Sequence, residues 1–378
     1  MGFALAAVLM MSAVPALASP AIPSARKVKI GDRALDYRVY RKSDPGKFLF
    51  ALYDATLSRD VLGRTTLAVL DSSGKIDFQR SFAAKFEPLV AMDFRRLEPG
   101  IYSYFLSTVE GLHWPSSLHF LDRTFRDVFP REVPNGDFEL NSHEVHRGRN
   151  GNYFFLFYRD RFADGLVDAE IQEWDVQGGR KFTWNSRDEL SPAPGSGPTI
   201  DYVHLNSIEQ DTDGDLLVSL AETSEVVKLS YPGGKVRWKM SYRDWTFPQD
   251  PLRGFRHQHS VRRLPNGNLL FFDNGGFGRE PISRAVEYRL DEKAKTATLV
   301  WEYRASGDDR FRAAGGSAQR LANGDTVIGW GRSASTDPLP RGRPLPLFIE
   351  VDPAGRPVRE LVSRDNDVSY RVYFEEDR

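Results

Sequence analysis

The chain has 378 residues, with 51 Lys and Arg against 52 Asp and Glu, a formal charge of −1. That balance excludes a generally basic nucleic-acid surface, and a 40% hydrophobic, 27% charged composition is that of a folded chain rather than a disordered one. Cysteine is absent, which excludes disulfides, zinc–thiolate sites, iron–sulfur clusters and cysteine nucleophiles. The 25 Phe, 7 Trp and 14 Tyr, set beside 31 Gly and 23 Pro, lean towards an all-β protein rich in turns.

The first element is an apolar run, Phe3 to Ala18, closing in Ala-Leu-Ala before Ser19. A short apolar run with such an end predicts a secretory signal peptide over 1–18, cut after Ala18, although a basic leading region is missing. The expected location is therefore the periplasm or the medium, with no membrane span once the signal is removed. TLAVLDSSGKIDFQRSF at 66–82 alternates about a turn and predicts a strand pair, and LVAMDFRRLEPGIYSYFL predicts another around Gly100. LHFLDRTFRDVF at 118–129 is the best helical candidate, with strand plus turn as its alternative.

From here a repeat takes over. His143-Glu-Val-His146 leads through the turn Asn150-Gly151-Asn152 into YFFLFY, and His204-Leu-Asn206-Ser-Ile leads through Asp213-Gly214-Asp215 into LLVSL. His257-Gln-His259-Ser-Val leads through Asn266-Gly267-Asn268 into LLFF, and Gly316-Ser-Ala-Gln319 leads through Asn323-Gly324-Asp325 into TVIGW. Asn-Gly and Asp-Gly favour tight hairpins, since those turns need positive φ. The turn glycines at 151, 214, 267 and 324 lie 63, 53 and 57 residues apart, and Gly100 stands 51 before the first of them. Between the copies stand further alternating pairs, EIQEWDVQGGRKFTW, EVVKLSYPGGKVRWKM, AVEYRLDEKAKTATLVWEY and LFIEVDPAGRPVREL. A period in the fifties built from two hairpins is one blade of a β-propeller, and residues 28–378 hold about six. SPAPGSGP at 191–198 reads as a long loop near one mouth, and VSYRVYF near the C-terminus is expected to pair with N-terminal sequence and close the ring.

Three runs, DYVHLNSI, RHQHSVRRLPNGNLLFFDNG and SRAVEY, resemble the arylsulfotransferase family, and HEVHRGRNGNYFF resembles an earlier segment of it. The likeness extends over roughly 140–335 and is weaker in the N-terminal third. It implies an exported six-bladed propeller that moves a sulfuryl group from a phenolic sulfate ester to a phenol, with no cofactor. By the same resemblance His204, His259 and Arg284 stand at catalytic positions. The family's covalent nucleophile is a further histidine in a later blade, but here no histidine follows His259, and TVIGWGRS offers Gly329 and Trp330 instead.

The residue types suit the chemistry. A sulfuryl group in transfer carries charge on its oxygens, which fixed donors stabilise. Arginine presents a planar fork to such oxygens, and imidazole serves as donor, base or covalent relay. His143, His204 and His259 stand eight to ten residues before their turn glycines, so blade symmetry sends them towards one channel. His143, His257, Asn206 and Asn274 are further candidates for binding substrate. Each also has a structural alternative, a ring or amide bonded to a neighbouring blade or to local backbone. His146 faces away from His143 on a strand, while His113 and His119 stand in no motif. Asp211, Asp213 and Asp215 mimic part of a calcium loop but occupy a hairpin slot and read as a turn, so no metal site is expected. HEVH lacks the spacing of a zinc-protease helix. The alternatives to transfer are a non-catalytic exported propeller that binds a small anion or a protein partner, and a metal-dependent hydrolase or lyase suggested by fold analogy alone.

Overall fold

The structure is a computed structural model, and it describes residues 25–54, 64–83, 89–108, 116–128, 139–161, 165–190, 201–276, 282–304, 311–332, 345–365 and 367–377. The expected signal segment, the SPAPGSGP loop and His113 lie outside these residues.

Six antiparallel sheets follow one another along the chain as the blades of a propeller. Blade 1 carries Gly46–Asp54, Arg64–Asp71 and Ile76–Ala83, and blade 2 carries Leu89–Glu98, Ile101–Thr108, Ser116–Asp122 and Asp127–Val128. Blade 3 carries Glu139–Arg147, Tyr153–Arg161, Leu166–Trp174 and Arg180–Asn185; blade 4 carries Leu205–Gln210, Leu216–Leu220, Glu225–Leu229 and Val236–Met240. Blade 5 is His259–Arg263, Leu269–Asp273, Arg284–Asp291 and Thr296–Arg304, and blade 6 is Ser317–Arg320, Thr326–Gly329, Leu345–Val351 and Pro357–Ser363.

The repeat copies are thus the inner hairpins, and the pairs between them are the outer hairpins. In the Asn-Gly-Asn turns both asparagine amides donate to one glutamate of the third strand. Asn150 and Asn152 reach Glu173 at 2.8 and 2.7 Å, and Asn266 and Asn268 reach Glu287 at 3.0 and 2.6 Å. The Asp-Gly-Asp copy is a turn of the same kind, with Asp211 tied to Lys228 at 3.0 Å and to Arg263 at 2.8 Å. Over residues 118–128 the helical candidate is strand, turn and strand. The Asp122 carboxylate holds that turn, accepting from the backbone of Thr124 and Arg126.

Closure comes from the C-terminus. Val372–Glu376 pairs with Gly46–Asp54, from Val372 opposite Phe50 to Glu376 opposite Gly46, and becomes the inner strand of blade 1. Ser317 and Gln319 of blade 6 bond the backbone of Val372 and Phe374, which fastens the last blade to the first. One feature had no sequence signal: the hairpin of Ala25–Ile30 and Arg33–Val39 extends the outer edge of blade 6, with Asp36 opposite Val362. Val28, Ile30, Leu35 and Tyr37 bury themselves there. The apolar cores lie between neighbouring blades, for example Phe154, Ile171, Leu205 and Val218 between blades 3 and 4, and Phe271, Val286, Leu217 and Trp245 between blades 4 and 5.

Candidate functional site

Inner strands that only paired and packed would present nothing to the channel. Five of the six break step near the axis. Register shifts fall between Met92 and Arg95, Leu140 and Val145, Leu205 and Ser207, and His259 and Arg262, while Ser369–Arg371 interrupts the closing strand. Such irregularities re-aim side chains, and these bring the polar residues to the axis. In blade 6, Ser317–Arg320 pairs without a break and supplies no such residue.

Four imidazoles gather at one mouth. The ring centroid of His204 lies 4.8 Å from that of His143, edge to face, and 6.3 Å from that of His257; His257 and His259 are 6.2 Å apart. Counted from the turn glycines, His204 and His257 are equivalent, both just ahead of or at the start of an inner strand, with φ of +50° and +55°. Non-glycine residues hold that conformation at some cost, and they concentrate at functional sites. His143 and His259 form a second equivalent pair, matched in blade 4 by Asn206 and in blade 6 by Gly316. Gly316 could not be a histidine here: its φ is +99° and an added Cβ would lie 2.3 Å from the Phe272 ring. Trp330 packs edge-on against that same ring, and a Cβ at Gly329 would press on Ser317 and Val372. Blade 6 fills its part of the wall by packing.

The amide network fixes the tautomers. Asn141 donates from Nδ2 to the Leu205 carbonyl at 2.9 Å and accepts the His143 backbone N–H on Oδ1, so Oδ1 must face the ring. The His143 Nδ1 at 2.5 Å is therefore the protonated nitrogen, and Nε2 carries the lone pair. Asn274 donates to the carbonyls of Arg312 and Gly315, so its Oδ1, 2.8 Å from His259 Nδ1, sets the same tautomer there. His204 Nδ1 lies 2.7 Å from the Asp201 carboxylate. Asn206, fully buried, donates to the Gln258 carbonyl and ties blade 4 to blade 5. It stands with Asn141 and Asn274 as an interblade fastener, set beside the histidines.

The charges are graded. Burial opposes the His204 imidazolium, but Asp201, with Glu222 behind it, outweighs burial and raises the pKa above the usual imidazole value. His143 is pushed well below that value by burial, by His204 and His259, and by Arg371. His257 falls to about 4 through burial and His204, and His259 is held far down by burial and its histidine neighbours. The cluster thus favours one protonated ring, His204, among neutral ones.

Two participants lie inside runs quoted from the sequence, DYVHLNSI and VSYRVYF, but were not singled out there as site residues. Asp201 sits three residues before His204. Tyr370 comes from the break in the closing strand, its ring 5.6 Å from His143 and 6.1 Å from His259. It is 5% exposed and its hydroxyl has no hydrogen-bond partner among the described residues; nor has the sealed Nε2 of His259. Beneath this layer Arg371 links the blades, donating to Asp93 and Glu144 at 3.1 Å and to the Asn206 carbonyl at 2.6 Å. Arg95 and Arg262 complete the surroundings of Glu144.

The structure places Arg284 elsewhere. It is wholly buried within blade 5, and all five N–H donors are taken: Nε by Asp273, Nη1 by Asp250 and Glu302, Nη2 by Asp250 and the Gly254 carbonyl. No donor remains for a sulfuryl oxygen. Its effect on the cluster is indirect, since it holds Asp273, the residue before the His259 partner Asn274. His146 Nε2 accepts the Gln210 backbone N–H, away from the cluster, and His119 stacks on Tyr104 in blade 2. Among the described residues no group of three or more His, Asp or Glu side chains is arranged to hold a metal ion, and no helix is long and apolar enough to cross a membrane.

A solved structure shares this architecture. A solved protein of unknown function from Bacteroides caccae superposes with a TM-score of 0.57 at 14% identity, covering 88% of this chain and 100% of its own. A virginiamycin B lyase from Staphylococcus aureus gives a TM-score of 0.40 at 10% identity, covering 90% and 99%, which says nothing about chemistry. The arylsulfate sulfotransferase AssT of Escherichia coli is 27% identical over 177 residues, 37% of this chain and 29% of that one, so the match spans under a third of the relative. The sequence profile described as Arylsulfotransferase (ASST) matches residues 68–373, and the chain belongs to that family.

Proposed function

We propose that this propeller transfers a sulfuryl group from a phenolic sulfate ester to a phenol at the histidine cluster. The observation that carries the reading is the convergence of four imidazoles from three successive blades, in which His143 and His259 have Nδ1 held by an amide oxygen and His204 is paired with Asp201. Substrates of this class are aromatic anions. The aromatic faces of Tyr158 and Tyr370 beside His143 suit the ring, and protonated His204 suits the charge. His204 and His143 touch the reacting group in this reading, and His257 lines the approach. His259, Asn206 and Asn274 hold the layer in place. Arg284 is a positioning residue. Export is part of the proposal, supported by the apolar run from Phe3 to Ala18.

The test is release of para-nitrophenol from its sulfate ester, with and without a second phenol. Acceptor-dependent release, lost in His143→Gln and His204→Gln proteins that melt normally, supports transfer. No release from any of several aryl sulfates by folded protein rejects it. The reading then left standing is a propeller that binds a small anion or a partner without catalysis, which the lack of any histidine after His259 favours.

A further inference from the structure

Which ring takes the sulfuryl group in a chain with no histidine beyond His259 is a question the geometry can address. A nitrogen nucleophile needs a lone pair, a neutral ring, access to substrate, and a neighbour able to protonate the departing oxygen. His259 meets the first two conditions only, because its ring is 1% exposed and Nε2 is sealed. His204 has access, with its side chain 27% exposed, but Asp201 and Glu222 favour its protonated form, in which no lone pair is left. His257 Nε2 faces the Glu222 carboxylate at 3.6 Å. His143 meets all four. Its Nδ1–H is fixed by Asn141, its Nε2 has no protein partner among the described residues, and it is half-buried beside the mouth. The His204 ring stands edge-on to it at 4.8 Å. Two titrating groups whose surroundings drive them apart make an acid and a base of otherwise identical side chains.

We propose that His143 carries the sulfuryl group on Nε2 and that His204 is the acid and base of the cycle; this rests on the sulfotransferase reading above. In the first half-reaction the Nε2 lone pair of His143 forms a bond to sulfur while the sulfur–oxygen bond to the aryl group breaks. The electron pair leaves on the phenolic oxygen, which takes the Nε2 proton of His204. The ring of His143 becomes cationic, and the Asn141 carbonyl oxygen accepts its Nδ1–H throughout. In the second half-reaction a phenol gives its proton to His204 Nε2 as its oxygen bonds to sulfur. The sulfur–nitrogen bond breaks and its pair returns to His143. The Tyr370 hydroxyl is sealed like the His259 Nε2 and takes no part in either half. The charged and titrating groups around His204 include Asp201, Glu222, His143, His257 and His259, and they set the pH at which it delivers its proton.

The experiment mixes wild-type protein with excess para-nitrophenyl sulfate and no acceptor, quenches in base, and maps the peptides by mass. The expected result is a burst of para-nitrophenol equal in amount to the protein, and one added sulfuryl group on the peptide containing His143. His143→Gln should show no burst. His204→Gln should keep most of its burst rate with para-nitrophenyl sulfate, whose phenolate leaves unaided. With phenyl sulfate it should lose about 100-fold, the usual contribution of a positioned acid. A label on His204, His257 or His259 overturns the assignment while leaving the transferase reading intact, and needs no variant to fold. A burst surviving in His143→Gln does the same. Equal losses with both esters overturn the role of His204. Wild-type protein that releases no phenol from any aryl sulfate removes both this assignment and the reading beneath it.

Discussion

Replacing Arg284 separates a structural arginine from one that binds substrate. Its guanidinium neutralises two carboxylates, Asp250 and Asp273, whose side chains are 0 and 1% exposed. Glu302 is also a partner but keeps contact with water, at 27% exposure. In Arg284→Met the first two lose the cation that bonds them while staying buried, although Tyr288 still donates to Asp250 and the Arg256 and Gly275 amides still donate to Asp273. Removing one partner from a buried ion pair costs about 3–5 kcal/mol. Urea unfolding followed by tryptophan fluorescence should show that loss near neutral pH. The deficit should shrink as pH falls, because stranded carboxyls with folded-state pKa values above their unfolded ones gain proton-linked stability in acid. Changing Asp250 and Asp273 to Asn in the same chain should recover part of it. Protein that remains folded should transfer with little change in KM. An unaltered unfolding midpoint together with abolished transfer would refute the argument and make Arg284 a ligand of the sulfuryl group.

Other expectations follow from the same geometry. Tyr370→Phe removes a sealed hydroxyl with no hydrogen-bond partner among the described residues, so thermal stability should hold or rise while phenol release stays unchanged; a large fall in release would place the hydroxyl in the reaction. Gly316→His should destabilise and should not raise activity, since the left-handed backbone and the Phe272 ring exclude a side chain there; a stable, faster variant would contradict that packing. His204 has a raised folded pKa, so its bond to Asp201 stabilises the fold below the unfolded imidazole value and is lost as pH rises through the folded one. Asp201→Asn should accordingly move the alkaline fall of phenyl sulfate turnover to lower pH, and an unmoved profile would dissociate the pair.

Four blades were legible in the sequence because their inner hairpins carry an Asn-Gly or Asp-Gly turn, which constrains φ and repeats, while blade 2 turns at Pro99-Gly100 and the inner pair of blade 1 joins opposite ends of the chain. The outer hairpins were legible from alternation. The N-terminal hairpin on blade 6 was not, because its partner strand is more than 300 residues away and no turn marks the pairing. The run at 118–129 read as helical since Phe and Leu also satisfied a helical spacing, and the Asp122 turn that decides the matter forms only locally. At the site, the histidines were readable from repeat position and motif. Their pairing, His204 with His257 and His143 with His259, follows from the count to the turn glycines, but the protonation each ring takes was not readable, because it depends on Asp201, Asn141 and Asn274 in the folded site. Tyr370 stands beyond the last repeat copy, in the segment that closes the ring. Arg284 kept its motif, but its partner Asp250 lies in a connecting loop with no pattern of its own, and only the folded blade shows that its donors are used up.

The most direct measurement of the central claim is a structure with an aryl sulfonate, in which a carbon–sulfur bond replaces the ester and cannot be cleaved. The account predicts the sulfonate between His143 and His204, with sulfur in line with His143 Nε2 and the aromatic ring at the open mouth. A sulfonate bound on another face, or one paired with Arg284 in place of its carboxylates, would contradict it.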